Sequence, residues 1–147
     1  MRPASIVQFE RVYLASFVFE AVTIALGWSQ LTEKVAARSK IPTNVEQGIL
    51  IGAVAAFLFL FLLLLYFIAR RASNQAKSAF LVLTAFSVWS FVKNLIDTAG
   101  ALDRLVILDA ISRLLMLYGV WLLFRPDAKA WLGSKGAEGP TDPNTFA

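Results

Sequence analysis

The chain contains no cysteine and no histidine. The first absence excludes disulfides, thiol redox chemistry and thiolate nucleophiles. Together the two exclude zinc sites built on Cys or His, proximal-His haem and a histidine general base. Charge is also scarce: 16% of the 147 residues are charged and 58% are hydrophobic, far from a soluble average. The net charge of +4 raises nucleic acid as a partner. The basic residues, however, sit at the ends of apolar runs, where flanking charge anchors membrane segments. A basic stripe interleaved with aromatics is missing, so nucleic acid is not an expected partner. Carboxylates do not cluster in the EF-hand manner. Without His or Cys no nucleophile–base pair can be proposed. The expectation is a non-enzymatic protein with no cofactor and no metal.

What is present is oil. Residues 48–69, GILIGAVAAFLFLFLLLLYFIA, carry no charge, and at 1.5 Å per residue they span roughly 33 Å, enough to cross a hydrocarbon core. Arg70 and Arg71 stop the run. Around it the chain divides into spans at about 12–31, 48–69, 78–96 and 105–124, an interfacial stub at 125–131 and a Gly/Pro-rich tail at 133–147 that reads as disordered. The expected fold is all-α: one domain, residues 1–132, forming an integral membrane four-helix bundle with the lipid bilayer as its first partner.

The leader, MRPASIVQFER, reads as polar, and the apolar run after it is too long for a signal core and contains Glu20. In that first span Tyr13, Ser16, Glu20, Thr23, Gly27 and Gln30 recur at steps of three and four, which is one helix face. Lipid cannot satisfy such a stripe, so it should face other helices or a wet cavity. Residues 32–47 read as a loop whose Thr43 and Glu46 fit a capping box for the second span. Gly48, Gly52 and Ala56 lie four apart on that span, a spacing that lets a second backbone approach closely. Packing against a neighbour in the same chain is the plainer expectation, and a homodimer seam is the other.

The turn RRASNQAK makes spans two and three antiparallel neighbours. Span three sets Ser87, Ser90, Asn94 and Asp97 on one face with Thr84 beside them, and Lys93 one turn before Asp97, a helical pair worth a few tenths of a kcal/mol if exposed. Gly100 marks its stop and Asp103 the cap of the next helix. Span four holds Asp109 and Arg113 one turn apart. Two mid-span charges cost roughly 5–7 kcal/mol on an insertion scale against on the order of 4–7 returned by its apolar residues, so this helix needs partners.

Eight basic residues fall in the leader, second loop and tail, and five in the first and third loops. That bias places both termini in the cytoplasm. Glu20 and Arg113 then differ in depth by roughly 6 Å, within reach of a guanidinium arm. The sequence therefore predicts a polar ladder from Glu20 to Arg113, on to Asp109, and towards Lys93 or Asn94, with Asp97 at its outer end. Neutralisation of buried charge is the structural reading. The functional one makes Glu20 a proton or cation site beside Ser16 and Thr23, though a fixed positive neighbour holds a carboxylate ionised. Trp89 and Tyr118 are mid-span aromatics that could stack on an organic cation.

Four short spans with a glutamate in the first resemble the small multidrug resistance transporters, on Glu20 and Trp89. That resemblance implies a dimer exchanging protons for cationic drugs at Glu20. It covers two positions: this chain is longer, its loops differ, and that family's fourth span has no counterpart to Asp109 and Arg113. The ends of the chain, MRPASIVQFERVYL and YGVWLLFRPDAKAW, are similar to those of small four-span bacterial inner-membrane proteins of unassigned function. This implies the same topology, inserted in the inner membrane, and no activity.

Overall fold

A computed structural model describes residues 2–37, 43–97 and 103–134. Every regular element among them is helical: α1 (Ala4–Leu26), α2 (Trp28–Ala36), α3 (Thr43–Ala69), α4 (Asn74–Asp97), α5 (Arg104–Leu123) and α6 (Pro126–Gly133). Three helices, α3, α4 and α5, are each long and apolar enough to cross a membrane, and α1 with α2 meets the same test only as one broken span bent by 62°. The second, third and fourth expected spans correspond to α3, α4 and α5, and the region of the first is the bent pair.

The first helix starts at Ala4, well before the expected residue 12. The polar leader conceals a helical face, because Ile6, Phe9 and Tyr13 recur at steps of three and four and are all buried. Its charges lie off that face, where Arg2 donates to Glu10 at 2.6 Å and Arg70 comes within 3.5 Å of the same carboxylate. The expected loop 32–47 is likewise partly helical, since α2 runs to Ala36. The break falls at Gly27, where a Cβ would stand 3.1 Å from the Thr23 carbonyl and 3.3 Å from Leu105 of α5. Side chains of Thr43 and Asn44, and with them the capping box, lie outside the described residues, as do Gly100 and residues 135–147 of the expected disordered tail. Asp103 does occupy the N-cap of α5, but its side chain makes no capping bond.

The turn between α3 and α4 is shorter than the eight residues expected. Ala72 takes a left-handed conformation (φ 47°) and Ser73 N–H reaches back to the Phe67 carbonyl at 3.1 Å, which satisfies a carbonyl left free at the end of α3. The helices α1 and α5 are the most closely apposed pair, with α3 and α4 completing the ring. Packing is uneven along their length. The core of Ile6, Phe9, Tyr13, Phe61, Phe80 and Met116, with Ile68, Leu122 and Leu132, gathers at the end that holds the N-terminus, the α3–α4 turn and α6. At the opposite end Leu26, Ile49, Ile96 and Ile107 are exposed.

Two contacts hold the dense end. The Tyr13 hydroxyl donates to the Phe61 carbonyl at 2.8 Å, inside an aromatic cluster with Phe9, Phe61 and Phe80 at centroid separations of 4.7–5.4 Å from Tyr13. Such rings contribute beyond their buried area. From α6, the Asp127 carboxylate accepts the Ser5 hydroxyl at 2.5 Å and the Ser5 backbone N–H at 3.2 Å, satisfying a free donor in the first turn of α1 from another helix. The bonds from Ser5 hold the Asp127 carboxyl below the usual carboxylate range.

Two glycines give opposite outcomes. At Gly119 a Cβ would lie 3.5 Å from the Phe9 ring, whereas at Gly52 nothing lies within 4 Å. Gly119→Leu is expected to cost about 1–3 kcal/mol by overpacking, lowering the melting temperature of the detergent-solubilised chain, while Gly52→Ile leaves it unchanged. For Asp127, a depressed folded pKa means that its contribution is complete above the unfolded value and lost as pH falls. The stability advantage over Asp127→Asn should therefore shrink below about pH 4 in denaturation curves.

Candidate functional site: a charged triad on a one-sided cavity

The polar stripe of α1 faces α5. Tyr13, Ser16 and Glu20 are buried on it, and helical spacing delivers them to the face that meets Ser112, Arg113 and Met116. Arg113 grips Glu20 with both terminal nitrogens, Nη1 to Oε2 at 3.0 Å and Nη2 to Oε1 at 3.3 Å. A planar guanidinium matched to a carboxylate in this way is the strongest form of the pair. Ser112 Oγ stands 3.2 Å from both Glu20 Oε2 and the Ser16 carbonyl, so its one proton is shared between them. In turn Ser16 donates to the Tyr13 carbonyl at 2.9 Å. Glu20 is thereby fixed from two consecutive residues of α5.

Asp109 is held differently. Its Oδ1 lies 2.6 Å from Arg113 Nη2, one turn along the same helix. The contact lacks the alignment of a hydrogen bond, since Oδ1 and Arg113 Nε are both buried with no hydrogen-bond partner. The side chain is 22% exposed, against 12% for Glu20. Two rungs of the predicted ladder are therefore in place, and the guanidinium lies between two carboxylates.

The third rung is only partly assembled. Asn94 shares a cavity wall with Asp109, but Lys93 and Asp97 are exposed at the end of α4 and do not line the cavity. Nor do these two pair with each other among the described ion pairs. Helical phase separates them: Ser87, Ser90 and Asn94 line the cavity from one face of α4, with Ser90 and Asn94 exposed at its open side, and Lys93 and Asp97 lie off that face. Trp89 and Tyr118, read as stacking candidates, are both outward-facing, and Tyr118 stacks on Trp121 at 5.4 Å. Gly48, Gly52 and Ala56 are exposed too, with nothing within 4 Å of a Cβ at either glycine. This corrects the expectation that the small-residue face packs within the chain. Spacing reveals that a backbone can approach and is silent on whose backbone it is.

Sequence reading missed the cavity itself. About 350 Å³ opens between α1, α3, α4 and α5, with the triad on one wall, Ser87, Ser90 and Asn94 on another, and Phe57, Phe61, Phe86 and Phe91 around them. A second space of about 500 Å³ lies outward of it, lined by Thr23, Gln30, Lys34 and Asp103, and shares Asn94 and Asp109 with the first. Phe61 and Met116, both members of the buried core, line the cavity on the side of the dense end. Ser112 was also missed, since a serine in an apolar run carries no signal of the carboxylate it will meet. No group of three or more Asp or Glu among the described residues could hold a metal ion.

No protein-family model matches the chain, and no curated protein or solved structure is significantly similar to it.

If the pair is what holds α1 to α5, Glu20→Ala should destabilise the detergent-solubilised protein by about 1–3 kcal/mol, because it removes the charge-assisted hydrogen bonds between the two helices and leaves Arg113 only its contact with Asp109 on its own helix. Adding Arg113→Leu should recover part of that loss. Strictly additive damage, read from unfolding curves of the two single variants and the double, would remove pairing as the cause.

Proposed function

We propose that the chain is a non-enzymatic multi-pass protein of a bacterial inner membrane, forming a four-helix bundle that acts through lipid or through other membrane proteins. The observation that carries this reading is the outer belt. Val82, Trp89, Ile96, Phe59 and Leu114 are each between 65% and 72% exposed, while Glu20, Arg113 and Ser112 are turned inward. A water-soluble monomer does not carry so continuous an apolar surface, and the inversion is what a hydrocarbon solvent selects. The bent α1–α2 pair serves as the first crossing.

Orientation follows from the dense end. Arg70, Arg71, Lys77, Arg125 and Lys129 belong to the α3–α4 turn and the start of α6, with Lys77 4.3 Å from the centroid of Phe124 and Arg125 5.5 Å from that of Trp121. Basic residues gathered at one end support a cytoplasmic assignment of that end and, with it, of both termini. The open face of α3 at Gly48, Gly52 and Ala56 is where a second copy or another membrane protein would approach most closely.

A second reading, a small proton- or cation-coupled transporter using Glu20, draws support from one observation: Glu20 lines the cavity. Against it stands the two-pronged Arg113 grip, which occupies both oxygens of the Glu20 carboxylate.

On the leading reading the chain resists alkaline extraction from membranes, and reporters fused at either terminus respond as cytoplasmic while one inserted after Ala37 responds as external. Release by alkali alone would end the membrane assignment. Glu20→Gln in liposomes should leave ion-driven flux at its background value, and a flux lost on that substitution would move the transporter to first place.

A further inference from the structure

The triad on the cavity wall does not balance. Glu20 and Asp109 carry two negative charges and Arg113 one positive, and among the described residues the cavity wall holds no other charge. Lys93, the nearest cation in sequence on α4, is exposed outside it. Arg113 grips Glu20 through both terminal nitrogens and meets Asp109 Oδ1 at 2.6 Å through one of them, so one guanidinium serves two carboxylates and the triad keeps a net negative charge beside Asp109, whose Oδ1 has no hydrogen bond. A net negative charge beside Phe57, Phe61 and Phe91, with Phe86 at the open mouth, is costly, and the cost is removed by a cation that brings its own apolar body.

We infer that this cavity is a binding site for a small organic monocation, with Asp109 as its counterion and Phe57, Phe61, Phe86 and Phe91 as its apolar and cation–π walls. The inference rests on the four-crossing reading and adds to it a ligand class and a residue other than Glu20.

Three features set the occupant. Charge complementarity demands a single positive charge, because a dication would overcompensate the triad. Aromatic faces attract a cation and accept a hydrocarbon body at the same time, which an inorganic ion stripped of water does not exploit. The volume of about 350 Å³ lies at the low end of sites for small organic ligands, about 300–1,000 Å³, and suits a one-ring ammonium. Access comes from the outer space that shares Asp109 and Asn94 and carries Thr23, Gln30 and the oppositely charged Lys34 and Asp103 on its walls. Phe61 and Met116 line the side of the dense end. Asp109 stands where the two spaces meet, so an arriving cation reaches it before Arg113.

Because the chain has no cysteine of its own, a single introduced thiol reports the field inside the cavity. Ser87→Cys places one on the wall and Ser29→Cys places one on the exposed surface of α2. Both variants are embedded in lipid nanodiscs, where each face is accessible. They are treated with a trimethylammonium and with a sulfonate methanethiosulfonate of similar size. Relative to Ser29→Cys, Ser87→Cys should favour the cationic reagent by at least about tenfold, as expected for a carboxylate acting in a low-dielectric space. Benzyltrimethylammonium should slow modification of Ser87→Cys saturably and leave Ser29→Cys untouched, while its uncharged isostere neopentylbenzene protects more weakly. Asp109→Asn should abolish both the preference and the protection.

Equal rates for the two reagents at Ser87→Cys, with Asp109 intact, overturn the inference and indicate a cavity neutralised by a proton. Absence of protection overturns it as well, and a preference that survives Asp109→Asn removes Asp109 as counterion. Each of these outcomes, seen in a chain that resists alkaline extraction, leaves the membrane reading standing. Extraction by alkali would instead remove the premise.

Discussion

The grip of Arg113 on Glu20 is the constraint from which the rest of the structure follows. It fixes the rotation of α1 against α5, because a two-pronged contact admits one register where apolar packing tolerates several. With that register set, Ser112 falls beside the same carboxylate, Phe9 falls against Gly119, and Tyr13 reaches across to the backbone of α3. A charge pair of this kind is weak evidence of net stability, since an apolar replacement of equal volume can serve as well. What it supplies here is a unique alignment of two otherwise greasy helices.

The pair also accounts for the unevenness of the molecule. Below Glu20, towards the termini, side chains interdigitate and rings meet edge to face. Above it α1 breaks at Gly27 and apolar side chains are exposed. The charges lie at the boundary between these two regimes, where they can be paired on one side and open to a cavity on the other. A triad of odd count is tolerable in that place and would not be in the middle of the dense half.

Much of this was legible from residue spacing. The stripe of Tyr13, Ser16 and Glu20 shows itself at steps of three and four, and the depth of Arg113 follows from helical rise, so the first two rungs of the ladder could be read in advance. Where reading failed, it failed for definable reasons. The leader looks polar because Arg2, Glu10 and Arg11 outweigh Ile6 and Phe9 in composition although not in position. Lys93 and Asp97 were placed by depth alone, and phase about α4 turns them away. The open face at Gly52 was taken as internal because small-residue spacing describes a surface and not its occupant. The cavity is bounded by four helices, a property of no single segment, and its four phenylalanines are scattered among many others in the chain.

The long sequence separations in this fold bear on how it is made. Glu20 precedes its guanidinium partner by 93 residues, and Ser5 precedes Asp127 by 122. A chain emerging from the ribosome therefore delivers Glu20 long before its guanidinium partner exists, and the first helix must wait in a provisional state. Only when the fifth helix is complete can the first settle, and only the sixth pins its beginning. Nascent chains cut short before that point carry Glu20 without its guanidinium partner, which makes incomplete products chemically distinguishable from finished ones and open to selective removal.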